Sequence, residues 1–154
     1  MTAVDTNILV YAHRADSPWH QAADRVIEAL AESRSSWAIP WPCLYEFFAI
    51  VTHPKIYQPP TPALDALIQI DCWLESPTLV LLGEGEGFFD TLRPLLDQSG
   101  VQGGAVHDAR IAALCLRHGI KILLSADRDF SRFPELHTEN PLRHASHDRQ
   151  RERQ

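Results

Sequence analysis

Asp5, Glu46, Asp108 and Asp127 are the residues of this chain best suited to chemistry, and the two expected within helices, Glu46 and Asp108, sit where acids are ordinarily avoided. Glu46 has Pro42, Cys43, Ala49 and Ile50 as its i±3 and i±4 neighbours, and Asp108 has Gly104, Ala105, Ile111 and Ala112. On a helix these positions share a face. A carboxylate projecting from such an apolar stripe costs several kcal/mol unless something compensates, and repulsion from other acids adds to that cost. A divalent cation removes both penalties. Hard oxygen donors with no histidine or cysteine among them point to Mg²⁺ or Mn²⁺.

Taken singly, each acid has an ordinary structural explanation. Asp5 can close an Asx turn and Asp127 can cap a helical turn. Glu46 can pair with Arg14 or Lys55, and Asp108 can complement a helix dipole from the first turn. For the four together metal binding is the stronger reading, since perturbed acids cluster at functional sites.

The elements that must position these acids follow from local signals. A strand is expected at residues 2–4 and a short helix at 8–13. Ser17 with Pro18 reads as a cap opening an amphipathic helix to about residue 34. A strand at 37–39 precedes an apolar helix at 43–52, introduced by Pro42. After a proline-rich loop, Thr61-Pro62 repeats the cap signal and opens a helix to about residue 75. A strand at 78–82, helices at about 86–97 and 103–118, and a strand at 120–124 complete the pattern, with Gly119 at the C′ position. Strands separated by helices imply a parallel α/β sheet with right-handed crossovers. Ligands of such folds lie at the carboxyl ends of the strands. Asp5 and Asp127 follow strands, Glu46 lies about one turn into the helix after the second strand, and Asp108 lies near the start of a helix running back toward the next. All four therefore fall on that edge.

Composition sets the outer bounds. The 154 residues, 45% of them hydrophobic, suit one domain with a real core. No stretch approaches the length of a membrane span, and Asp5 interrupts the first apolar run, so neither a membrane segment nor a signal peptide is expected. Cys43, Cys72 and Cys115 are odd in number and widely spaced, which fits reduced core thiols and a cytoplasmic location. The net charge is -6. Residues 143–154 hold four arginines against Asp148 and Glu152, so residues 1–142 carry -8. The domain is accordingly drawn at 1–142, with 143–154 as a polar, mobile tail.

Asp5-Thr6-Asn7, Glu46 in the third helix, His107-Asp108-Ala109 opening a late helix, and Ser125-Ala126-Asp127-Arg128-Asp129-Phe130 together resemble PIN domains. More narrowly they look like VapC toxins of bacterial toxin–antitoxin systems, and Val51-Thr52-His53-Pro54 and Glu139-Asn140-Pro141 look like one branch of that family. The resemblance spans residues 2–141. It implies a single PIN-like α/β domain with a central parallel sheet of about five strands, Mg²⁺-dependent endoribonuclease activity, a cognate antitoxin and a homodimer. By the same analogy tRNA is the expected substrate. Asp5, Glu46, Asp108 and Asp127 match the family's acidic quartet. Asn7 is then a supporting donor, Ser125 orients a water or Asp5, and Asp129 can share or take over the role of Asp127.

On this reading metal is held mainly by Asp5 and Asp108 with Asp127, while Glu46 or Asp127 completes a second metal shell or positions the attacking water. In-line attack leaves a 5′-phosphate and a 3′-hydroxyl. Arg110 and Arg128 are the nearest candidates for RNA backbone contacts. Trp19 and Trp41 can stack on bases, although burial is the commoner fate of tryptophan. A haloacid-dehalogenase-like phosphatase also places Asp after its first strand, but it wants a second Asp where this chain has Asn7. His107-Asp108 lacks the further helical histidines of an HD-type phosphohydrolase, which makes His107 a packing or hydrogen-bonding residue. A non-catalytic RNA- or protein-binding module of the same fold remains the alternative, and it has no need of four converging acids.

Overall fold

Strands this short and apolar are stable only when helices cover both faces of the sheet they form. The computed structural model describes residues 1–143. The chain runs β1 (Thr2–Val4), α1 (Thr6–His13), α2 (His20–Glu32), β2 (Trp37–Pro40), α3 (Trp41–Val51), α4 (Ala63–Leu74), β3 (Leu79–Leu82), α5 (Phe88–Ser99), α6 (Val106–Arg117), β4 (Ile122–Leu124) and β5 (Thr138–Glu139), with 3-10 turns at Gly103–Ala105 and Arg128–Arg132. The sheet is parallel throughout, in the order β3-β2-β1-β4-β5. Its core includes Val4, Ile8, Leu9, Trp37, Ile39, Phe47, Leu114, Leu123 and Phe130, all essentially inaccessible to solvent.

The strand order fixes where a ligand can sit. The chain steps outward from β1 to β2 to β3, then returns to the other side of β1 for β4 and β5. Thr2, Ala3 and Val4 pair with Ile122, Leu123 and Leu124 in register. Both strands therefore end level with one another, and the reversal of direction between them opens a crevice at their carboxyl ends.

Several expected boundaries move, each for a local reason. Ser17 does not cap α2, which starts at His20. Its hydroxyl instead accepts the Trp19 N–H at 3.1 Å, and its carbonyl accepts the His20 N–H at 3.1 Å, making a turn ahead of the helix. Thr61 is likewise not a cap. Its buried hydroxyl binds His13 Nε2 at 3.1 Å and Arg14 Nη1 at 3.2 Å, tying the loop before α4 to the end of α1. The helix expected from residue 103 begins as a 3-10 turn and becomes α-helical only at Val106, so Asp108 lies in the first turn of α6.

Gly119 behaves as expected. It has φ +66°, and the Ile120 and Gly119 N–H groups return to the Cys115 and Leu116 carbonyls at 2.9 and 3.2 Å. This Schellman closure uses up Ile120, which is why β4 starts at Ile122 and not at 120. β5 has only two residues, neither apolar, and no sequence pattern announced it. Cys43 and Cys115 are buried, but Cys72 faces solvent from α4 and is no core thiol. Among the described residues no helix is long and apolar enough to cross a membrane. From residue 144 onward the expected tail lies outside the described residues.

Candidate active site

Asp5 is set by two elements at once. Its N–H donates to the Leu124 carbonyl at 2.9 Å, which fixes the end of β1 against β4. Its side chain caps α1, with Oδ1 accepting the Thr6 N–H at 2.8 Å. Oδ2 accepts the Ser125 hydroxyl at 2.7 Å and the Asn7 amide at 3.2 Å, and the Cys43 thiol approaches Oδ1 at 3.7 Å. The carboxylate is only 4% exposed. Burial pushes its pKa up to about 6, the hydrogen bonds from Ser125 and Thr6 hold it back, and the charges of Glu46 and Asp108 raise it further. Burial and the same Asp5 charge push the Cys43 thiol well above its usual range, so it stays a neutral donor.

Asn7 and Ser125 lock the two strand ends together. Asn7 Oδ1 accepts the Ala126 N–H at 3.0 Å while its amide reaches Ser125 Oγ at 3.3 Å. Ser125 Oγ also accepts the Asp127 N–H at 3.0 Å. Asp127 in turn caps the 3-10 turn at Arg128–Arg132, accepting the Asp129 N–H at 2.8 Å. The ordinary capping roles of Asp5 and Asp127 are thus real, and each uses one carboxylate oxygen for the cap.

Carboxylate oxygens of Asp108, Asp127 and Asp129 lie within 4.8 Å of one another. Burial raises the pKa of half-buried Asp108, and Asp127, Asp129 and Glu46 raise it further, in that order, with Arg132 opposing them. Asp5 feels Asp108 and Glu46, so five acids share one field. Glu46 differs from expectation. Cys43, Leu44, Phe47 and Val51 form the buried face of α3, whereas Glu46 beside it is exposed. It pairs with neither Arg14 nor Lys55, and its Oε2 accepts the Thr6 hydroxyl at 3.0 Å. An exposed carboxylate carries little desolvation cost, so the apolar-stripe argument does not hold for Glu46.

The donor set suits a hard divalent cation. Asp108, Asp127 and Asp129 offer only carboxylate oxygens, and metal–oxygen distances of about 2.0–2.6 Å let one ion touch all three, whereas Asp5 and Glu46 are not part of that 4.8 Å group. The two arginines expected at the phosphate are separated. Arg110 forms an ion pair with Glu84 and lines a cleft between α3 and α6, whereas exposed Arg128 lines a second cleft with Asp127. Trp19 is half-buried, and Trp41 stacks on Tyr45 instead of standing free. His107 is exposed in the α3–α6 cleft and is not a packing residue. Thr6, Cys43 and Arg132 carry site contacts that sequence reasoning missed. Only Thr6, sandwiched between Asp5 and Asn7, offered a signal.

The family model described as PIN domain matches residues 2–136. The chain is 35% identical over 147 residues to the ribonuclease VapC43 of Mycobacterium tuberculosis, covering 96% of this chain and 99% of that protein. It is 30% identical over 138 residues to ribonuclease VapC48 of the same species, covering 90% and 95%. Among solved structures, VapBC2 from Rickettsia felis bound to promoter DNA aligns with TM-score 0.63 at 23% identity, covering 90% of this chain and 97% of that one. Mycobacterium tuberculosis VapC20, described as a sarcin–ricin loop cleaving toxin, aligns with TM-score 0.64 at 17% identity, covering 85% and 93%. The chain belongs to the PIN-domain family, and within it to the VapC branch.

Proposed function

We propose that this protein is a divalent-metal-dependent endoribonuclease acting as the toxin of a toxin–antitoxin pair. The observation that carries this reading is the cluster of Asp108, Asp127 and Asp129, whose carboxylate oxygens lie within 4.8 Å of one another, beside a buried Asp5 that feels the charges of Asp108 and Glu46. Asp5, Asp108 and Asp127 are the proposed metal ligands, with Asp129 placed to share the role of Asp127. A bound Mg²⁺ or Mn²⁺ supplies charge for the phosphoryl oxygens and a water of lowered pKa. Glu46, solvent-facing and held by Thr6, orients that water and takes its proton. Asn7 and Ser125 keep Asp5 in one orientation. Arg128, Arg132 and Arg110 contribute the phosphate contacts that an acidic domain otherwise lacks. Membership of the PIN family displaces the phosphatase alternative.

The proposed substrate is RNA, with tRNA the first candidate, and the proposed setting is the cytoplasm. The proposed partner is an antitoxin carrying an apolar segment and a basic side chain that reaches the acids. Leu64, Leu67 and Ile68, exposed on one face of α4, offer apolar surface to such a partner or to the second copy of a homodimer. The direct test is RNA cleavage in Mg²⁺ and in EDTA. Asp5→Asn and Asp108→Asn are expected to lower cleavage at least about a hundredfold, roughly 3 kcal/mol, without loss of fold. Undiminished cleavage by both variants overturns the assignment.

A further inference from the structure

Tyr45 is 63% exposed, an unusual setting for an aromatic ring on a helix that also carries a proposed catalytic acid. It is not loose. Its ring stacks on Trp41 with centroids 6.0 Å apart and planes 20° from parallel, and Trp41 itself lies against the backbone at Gly83. Tyr45 also lines a cleft of about 290 Å³ between α3 and α6, together with Pro42, Glu46, His107, Arg110 and Ile111. One wall is therefore aromatic and apolar. The other presents Arg110, anchored by Glu84, and exposed His107. Glu46 belongs both to this cleft and to the acid cluster. On the β4–β5 side of the acids lies a polar second cleft of about 340 Å³ that includes Asp127, Arg128, Ser131 and Asn140. A ligand filling both must be extended and must cross the acids.

We infer that the α3–α6 cleft is a nucleobase pocket, in which Tyr45 stacks on one unpaired base flanking the scissile phosphate of RNA. The inference rests on the ribonuclease reading and adds a substrate requirement to it. A π-face is open to stacking only when the base is unpaired and unstacked, so the pocket selects single-stranded loops over duplex. Stacking tolerates any base, and the preference among bases is modest and set by stacking strength. Arg110 fits the adjoining phosphate or the base edge, and its pairing with Glu84 holds it in place before RNA arrives.

The test uses a labelled RNA of about ten nucleotides containing a bond that the wild type cuts in Mg²⁺. Binding is measured by fluorescence anisotropy with Ca²⁺ in place of Mg²⁺, so that a divalent cation still offsets the acids, with a single abasic site walked along the strand. In the wild type, an abasic site at one position next to the cut bond is expected to weaken binding about tenfold, the size of one lost stack. Tyr45→Ala is expected to lose about the same factor on intact RNA and to be indifferent to that abasic site, while Tyr45→Trp restores both the affinity and the abasic penalty. If wild type and Tyr45→Ala bind equally and suffer the same abasic penalties, the pocket assignment falls and the nuclease reading stands. If Tyr45→Ala leaves RNA binding intact but alters self-association on gel filtration, the ring belongs to a protein interface and the pocket assignment again falls. A wild type that neither binds nor cuts RNA overturns both.

Discussion

Asp5 in the metal-free fold keeps its proton to about pH 6, against 3.8 for a solvated aspartate. The folded state is therefore favoured by that proton below about pH 4, by roughly 3 kcal/mol for a shift of about two units, and this advantage disappears as the pH rises through about 6. Melts in EDTA across this range should show Asp5→Asn gaining stability relative to wild type as pH rises, because the amide does not titrate. A difference that stays constant with pH contradicts the raised pKa. The four acids were legible in the sequence because residue type and position along the strands and helices suffice to place them at one edge, whereas Asn7 and Ser125 were indicated only by the resemblance to PIN domains. Burial was less legible. Glu46 shares a helical face with Cys43 and Ile50, yet α3 turns it outward, and only coordinates distinguish a stripe from its margin. Arg132 and Cys43 reach the site through packing of distant segments, for which the chain carries no local sign.

Elements hold the acids together through a small set of hydrogen bonds between strand ends. Asn7 links α1 to the segment after β4, and without it the Ala126 N–H loses its acceptor. Asn7→Ala is expected to cost about 1–3 kcal/mol of stability and to lower cleavage as well. Thr61→Ala leaves His13 and Arg14 without a shared partner and is expected to cost a similar amount. It should leave cleavage at the wild-type rate, since Thr61 lies outside the acid cluster. Parallel loss of activity in both variants, measured by melts and cleavage together, would mean that general instability and not site geometry governs catalysis. Helices and the first four strands could be read from periodicity and from Gly119. The cap signals at Ser17 and Thr61 misled because each hydroxyl found a different partner, one in a turn and one across the loop. β5 was invisible since two polar residues need only the edge of β4 to become a strand.

The whole molecule carries a -6 charge while proposed to bind a polyanion. This is consistent only if a cation cancels the acids where the phosphate must approach. Removing residues 144–154, a segment with little apolar content, is expected to change the melting temperature by no more than a degree or two while weakening RNA binding at low salt. A large fall in melting temperature would show that the segment packs on the domain. Thermal melts of wild type and Asp108→Asn across a Mn²⁺ series, with EDTA controls, show directly whether the clustered carboxylates form a cation site. Asp108 is half-buried among like charges, so replacing it with an amide of the same shape relieves repulsion in the metal-free fold. Asp108→Asn without metal is expected to be at least as stable as wild type. The rise in melting temperature with Mn²⁺, clear in the wild type, is expected to shrink or vanish in the variant. A metal-free variant much less stable than wild type, with an undiminished response to Mn²⁺, would mean that Asp108 is a structural cap and not a cation ligand.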